Sequence, residues 1–135
     1  MKGHVQIGSR PQNKIFYWYF PHQDQDNNSL TVYLGGRLGF SSIVSMFKGI
    51  GPCTLLNGHM TKNEHSWSNF SNLLFIENSL GTGLSTSNIY DIPSSVISLK
   101  KDYLEFFERW FILDLLHKKD NKTKIVLVAS EEGGL

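Results

Sequence analysis

The chain has one cysteine, Cys53, in 135 residues, so no disulfide can form within it. It also lacks an excess of charge: 13 basic and 12 acidic residues leave a net +1, with no strongly basic run. It therefore has no electrostatic footprint for binding nucleic acid or an anionic membrane. No stretch approaches the ~20 consecutive apolar residues of a membrane-spanning helix. The opening residues, Met1-Lys2-Gly3-His4, are polar and lack the apolar centre of a secretory leader. Metal-ligand spacing is missing too. His59 and His65 lie six apart beside Glu64, with no cysteine or carboxylate cluster near them, and are expected to be solvated loop residues. No metal and no cofactor is expected. Gly81-Thr82-Gly83 does not open a GxGxxG strand-to-helix turn and reads as an ordinary turn.

What is present is the composition of a globular protein, 40% hydrophobic and 13% aromatic, in a length suited to a single domain. Ile15 to Phe20 is a dense aromatic run that ends at Pro21 and reads as a strand. His22 to Ser29 is polar and reads as a hairpin-type loop before a second strand, Leu30 to Leu34. Ser41 or Ser42 can cap a short helix to about Lys48, stopped by Gly49-Ile50-Gly51-Pro52. Residues 57–71 are polar and irregular, with Trp67 and Phe70 as anchors. Leu73 to Ile76 reads as a buried strand that leads into a glycine-bearing loop. The longest helix opens at Pro93-Ser94-Ser95 and runs to about Lys118. Its apolar residues wrap more than one face, which predicts cover on two sides. His117, Lys118 and Lys119 suit the negative end of its dipole. Ile125 to Val128 is a continuous aliphatic run, as in a central parallel strand. Together these elements predict an α/β sheet with N-terminal antiparallel strands and parallel crossovers linked by helices. Glycosylation sequons occur at Asn27, Asn69 and Asn121 and hint weakly at a secretory ancestry.

The last residues carry the most information. Lys124 to Ala129 is a strand, and Ser130-Glu131-Glu132-Gly133-Gly134 follows it as a tight turn. A nucleophile elbow needs small residues two before and two after its apex, because the strand-to-helix reversal brings those backbones together. Ala129 and Gly133 meet that need, which places Glu131 at the apex. Moving the register to make Ser130 the apex would put Val128 and Glu132 at the two small positions, where their side chains would clash.

Four segments, in order, resemble the N-terminal part of the serine carboxypeptidase family, α/β-hydrolases that remove C-terminal residues from peptides. Phe16-Tyr17-Trp18-Tyr19-Phe20 resembles the family's Phe-Tyr-Trp-Phe-Phe strand. Leu34-Gly35-Gly36-Arg37-Leu38-Gly39-Phe40-Ser41-Ser42 resembles Leu-Asn-Gly-Gly-Pro-Gly-Cys-Ser-Ser. Ser66-Trp67-Ser68-Asn69, followed by residues 74–85, resembles Ser-Trp-Asn plus Phe-Ile-Asp-Gln-Pro-Val-Gly-Thr-Gly-Phe-Ser. Asp102 to Phe107 and the final strand resemble the elements that present the nucleophile.

The departures fall where such a family does its chemistry. The resemblance implies an elbow Gly-Glu-Ser-Tyr-Ala-Gly, and here Glu131 stands in place of the serine. The oxyanion loop becomes Gly36-Arg37, with Arg37 replacing a glycine; losing one such donor costs ~3–4 kcal/mol of transition-state stabilisation. The positions that would hold a substrate carboxylate become Tyr33, Gly35, Gly49 and Ser130. The family's Asp and His follow the elbow, so catalysis by the inherited mechanism is not expected of this chain alone. A salt bridge from Arg37 to Glu131 or Glu132 is expected to close the old site. The leading expectation is a truncated, catalytically inactive relative that acts through protein contacts. Those contacts would use the Ile125–Val128 strand edge and the 94–118 helix, with self-association or a larger assembly as the outcome. The alternatives are a peptidase completed in trans by a chain supplying Asp and His, or a peptide-binding module that does not cut. The resemblance implies a lysosomal, vacuolar or secreted setting, and the sequence itself leaves the compartment open.

Overall fold

The computed structural model describes residues 1–115 and 123–134. Five strands form one mixed sheet: β1 (Lys2–Gln6), β2 (Lys14–Phe20), β3 (Ser29–Leu34), β6 (Asn72–Ile76) and β7 (Lys124–Ala129), in the order β1-β2-β6-β3-β7. β1 with β2 and β2 with β6 are antiparallel, whereas β6 with β3 and β3 with β7 are parallel. A separate hairpin pairs β4 (Cys53–Leu56) with β5 (His59–Lys62).

The aromatic strand works because both of its faces are apolar. Ile15, Tyr17 and Tyr19 point to the face that the helix α2 (Val96–Leu115) covers, and Trp18 and Phe20 point to the other. Leu30, Val32 and Leu34 of β3 and Leu74 and Ile76 of β6 meet α2 through Leu99, Tyr103, Phe106 and Trp110. Tyr17 stands edge-on to both Phe106 and Trp110, with centroids 6.1 and 6.3 Å away. On the opposite face Tyr33, Leu73 and Phe75 pack with Met46, Trp67 and Val128. Phe106 is fully buried, and burial of such a side chain stabilises the fold by about 1.5–3 kcal/mol. A sheet apolar on both sides thus lies between α2 and the segments at 43–50 and 67.

Several expectations need correction. The loop from His22 to Ser29 is not a hairpin, because β6 inserts between β2 and β3. The polar opening is β1, an edge strand whose only buried residue is Val5. Residues 57–62 belong to the β4–β5 hairpin, so His59 sits on an exposed strand and not in a loop. The helix after Ser42 is a single turn, α1 (Ile43–Ser45), followed by a wide turn, Met46–Ile50. Ser42 makes no side-chain cap there. Its hydroxyl instead donates to the Ile76 carbonyl at 2.6 Å, because a buried acceptor lies closer than the helix start. Phe70 anchors nothing: it is 75% exposed. α2 buries one face only among the described residues, leaving Ile97, Leu104 and Ile112 exposed. The basic residues expected at its end, His117 to Lys119, lie outside the described residues, as does the Asn121 sequon. Among the described residues β7 is an edge strand, paired to β3 alone, and Ile125, Val126 and Leu127 are each at least half exposed.

Candidate functional site

Leu34, Ile76 and Ala129 stand in register at the C-terminal ends of the three parallel strands. The loops that follow them, 35–42, 77–85 and 130–134, therefore meet at one end of the sheet. This is where open α/β sheets place their ligands.

At the third loop the chain reverses sharply. The Ser130 N–H still donates to the Leu34 carbonyl at 2.9 Å, continuing the ladder by one step. Glu131 then takes φ +54°, a left-handed conformation that side chains with a Cβ seldom adopt, and starts a 3₁₀ turn, Glu131–Gly134. A Cβ on Gly134 would lie 3.9 Å from that of Ala129, so the two ends of the reversal are close. The strained residue is Glu131 and not Ser130. Such strain at a strand-to-helix turn lifts a side chain above the sheet.

Arg37 comes from the first loop. Its Nε lies 3.9 Å from Glu131 Oε2, and both side chains are at least half exposed. A pair this open and long stabilises little, within about 0–1 kcal/mol. The side chain of Glu132 lies outside what the structure describes. Arg37 is held by its backbone: its carbonyl accepts from the Phe40 N–H at 2.8 Å and from Asn78 Nδ2. Gly36 turns the loop at φ +94°, where a Cβ would meet the Phe40 carbonyl at 2.9 Å.

Three of the four positions expected to correspond to a substrate-carboxylate site, Tyr33, Gly35 and Ser130, form one cluster. The buried Tyr33 hydroxyl hydrogen-bonds Ser130 Oγ at 2.9 Å. The same ring lies against Gly35, where any Cβ would come within 2.4 Å of a ring carbon. Tyrosine at 33 thus requires glycine at 35 and occupies the serine hydroxyl at 130. Gly49 sits apart in the wide turn, at φ +134°, and its carbonyl accepts from Asn63 Nδ2 at 2.7 Å.

Reasoning from sequence alone missed the residues that hold these loops. Glu77, only 1% exposed, follows β6 directly. Its Oε1 accepts from the Ser42 and Asn78 N–H groups at 2.8 and 3.2 Å. Its Oε2 accepts from the Ser41 hydroxyl at 2.9 Å and the Leu84 N–H at 3.4 Å. Asn78 Nδ2 donates to the Phe40 carbonyl at 3.1 Å, and Asn78 Oδ1 accepts from the Tyr103 hydroxyl at 2.9 Å. Burial first, then the charges of Glu77 and Asp102, push the Tyr103 hydroxyl well above its ordinary pKa, so it stays a donor. The available signal was a carboxylate directly after the apolar run Leu73–Ile76. A buried charge there must be paid for by hydrogen bonds. Among the described residues no group of three His, Cys, Asp or Glu side chains could hold a metal ion.

A strand-to-turn reversal at the end of a parallel sheet defines a fold, and the family follows from comparison. A family model described as serine carboxypeptidase matches residues 1–130. The chain belongs to the serine carboxypeptidase family. Within that family it is 34% identical over 110 residues to the pheromone-processing carboxypeptidase KEX1 of Phytophthora infestans (strain T30-4), covering 80% of this chain and 18% of the relative. It is 34% identical over 113 residues to that of Uncinocarpus reesii (strain UAMH 1704), covering 82% and 18%. To that of Aspergillus niger (strain ATCC MYA-4892 / CBS 513.88 / FGSC A1513) it is 31% identical over 121 residues, covering 88% and 20%. The chain thus spans 18–20% of the length of these relatives. A crystal structure of a candidate hydrolase from Agrobacterium vitis S4 superposes with a TM-score of 0.51 at 11% identity, over 96% of this chain and 51% of the other. That likeness shows the hydrolase-type α/β fold alone. No helix among the described residues is long and apolar enough to cross a membrane.

Proposed function

We propose that this member of the serine carboxypeptidase family does not hydrolyse peptides and acts through protein contacts, as a structural subunit or interaction module. The observation that carries this reading is Glu131 at the strained φ +54° position of the elbow. A carboxylate at that apex lacks the hydroxyl on which a serine-type acyl-enzyme forms. Arg37 lies 3.9 Å from it and puts a long cationic side chain on the oxyanion loop where the family carries a glycine. Tyr33 and Gly35 leave no carboxamide to hold a substrate carboxylate, and Ser130 Oγ is engaged by Tyr33.

The contact surface in this reading is the edge of β7, where Ile125, Val126 and Leu127 are exposed beside unpaired backbone groups. A groove of about 300 Å³ lined by Thr31, Trp67, Phe70, Val126 and Val128 runs beside it. The exposed stripe Ile97, Leu104 and Ile112 on α2 is a second apolar surface. Incubation of the chain with a blocked dipeptide, at acidic and neutral pH, is expected to give no turnover above buffer. Turnover that disappears in Glu131→Gln would reject the reading.

A further inference from the structure

Two of the three sequons fall within the described residues, and their surroundings differ. Asn27-Asn28-Ser29 leads into β3. The Asn27 carboxamide is half-buried and closed at both ends. Its Oδ1 accepts from the Ser29 N–H at 2.9 Å and from the Ser29 hydroxyl, and its Nδ2 is directed at the Phe70 carbonyl, 3.1 Å away. Asn69-Phe70-Ser71 closes the 3₁₀ turn Trp67–Asn69, which Ser66 caps by accepting the Ser68 N–H at 3.1 Å. Asn69 is exposed, as is Phe70, and Asn69 Nδ2 makes one bond, to the Glu64 carbonyl at 2.8 Å on an exposed segment. Both sequons lie before β3 and β6, at the end of the sheet away from Glu131 and Arg37. A bulky group there leaves the candidate site open.

We propose that Asn69 is an N-glycosylation site, used in preference to Asn27. The donor class is an oligosaccharide linked to a polyprenyl diphosphate. The bond from sugar C1 to the diphosphate oxygen breaks, and a bond from C1 to Asn69 Nδ2 forms. The amide loses one proton, and polyprenyl diphosphate leaves with the bonding electrons. Asn69 Nδ2 keeps one hydrogen, enough to retain its bond to the Glu64 carbonyl, while the sugar extends into solvent. Asn27 differs in being half-buried and in having its Oδ1 held by both the N–H and the hydroxyl of Ser29, so its carboxamide is fixed at both ends. A glycan on Asn69 stands next to Phe70, which lines the groove beside β7, and so screens part of that apolar strip.

The test is translation of the full chain behind a cleavable leader with microsomes, scoring only the protease-protected fraction. Peptide mapping is expected to find a glycan on Asn69 that peptide-N-glycosidase removes. The modification disappears in Asn69→Gln and Ser71→Ala and persists in Asn27→Gln. Ser71→Thr, which keeps the sequon and the hydroxyl, retains it even if Ser71→Ala fails to fold. Lumenal chain with unmodified Asn69, or with higher occupancy at Asn27, would overturn the proposal.

Discussion

Glu77 and Gly83 are matched to each other. A Cβ at 83 would lie 2.1 Å from Glu77 Oε2, and Gly83 holds φ +57°. Both the collision and the left-handed backbone oppose any side chain there. Gly83→Ala is therefore expected to destabilise the fold by at least ~2 kcal/mol, read as a lower melting temperature. Tyr103→Phe removes the donor to Asn78 Oδ1 and is expected to cost about 1–2 kcal/mol, because a buried acceptor is left unsatisfied. Asp102 behaves in the opposite sense. Burial first, then the charge of Glu105, push its carboxyl up to about 6, with Lys101 opposing and Asp91 adding to the rise. A raised carboxyl pKa favours the fold in the protonated form. That stability is fully present below the ordinary value of 3.8 and is lost as pH rises through about 6. Asp102→Asn is expected to raise stability at pH 7 by about 1 kcal/mol, a figure reduced for solvent screening of a half-exposed group. Denaturant titration at both ends of the window checks it: the gain should vanish near pH 4.

Among the elements, β7 combines a largely apolar sequence with little cover. Leu127→Lys is expected to leave folding stability within about 0.5 kcal/mol, since the side chain is already 57% exposed. It should also lower concentration-dependent association in sedimentation, because charge blunts an open edge. The strands built from dense apolar runs, β2, β3, β6 and β7, were legible because burial dictates their composition. So was the sharp turn after β7, where Glu131 takes φ +54° at the start of a 3₁₀ turn. β1 was not, because backbone pairing with β2 holds it and only Val5 among its side chains is buried. The β4–β5 hairpin was missed for a similar reason, although Asn57 and Gly58, at φ +50° and +78°, are the residue pair that tight hairpins favour. No local pattern told that β6 would insert between β2 and β3; strand order is decided by contacts far apart in sequence. The buried role of Glu77 was hidden because hydropathy treats every carboxylate as a surface group.

For the whole molecule, the parallel seam between β3 and β7 has a consequence for synthesis. Ser29 pairs with Lys124 and Leu34 with Ala129, so the outer rim of β3 gains its neighbour only about ninety residues after β3 itself has been made. Until then Leu30, Val32 and Leu34 have a bare flank while β1, β2, β6 and α2 are already available to assemble. Such distant closure is slow and leaves sticky intermediates. A nascent chain paused before residue 124 should therefore be held by chaperones through β3, and release should coincide with emergence of β7 from the ribosome.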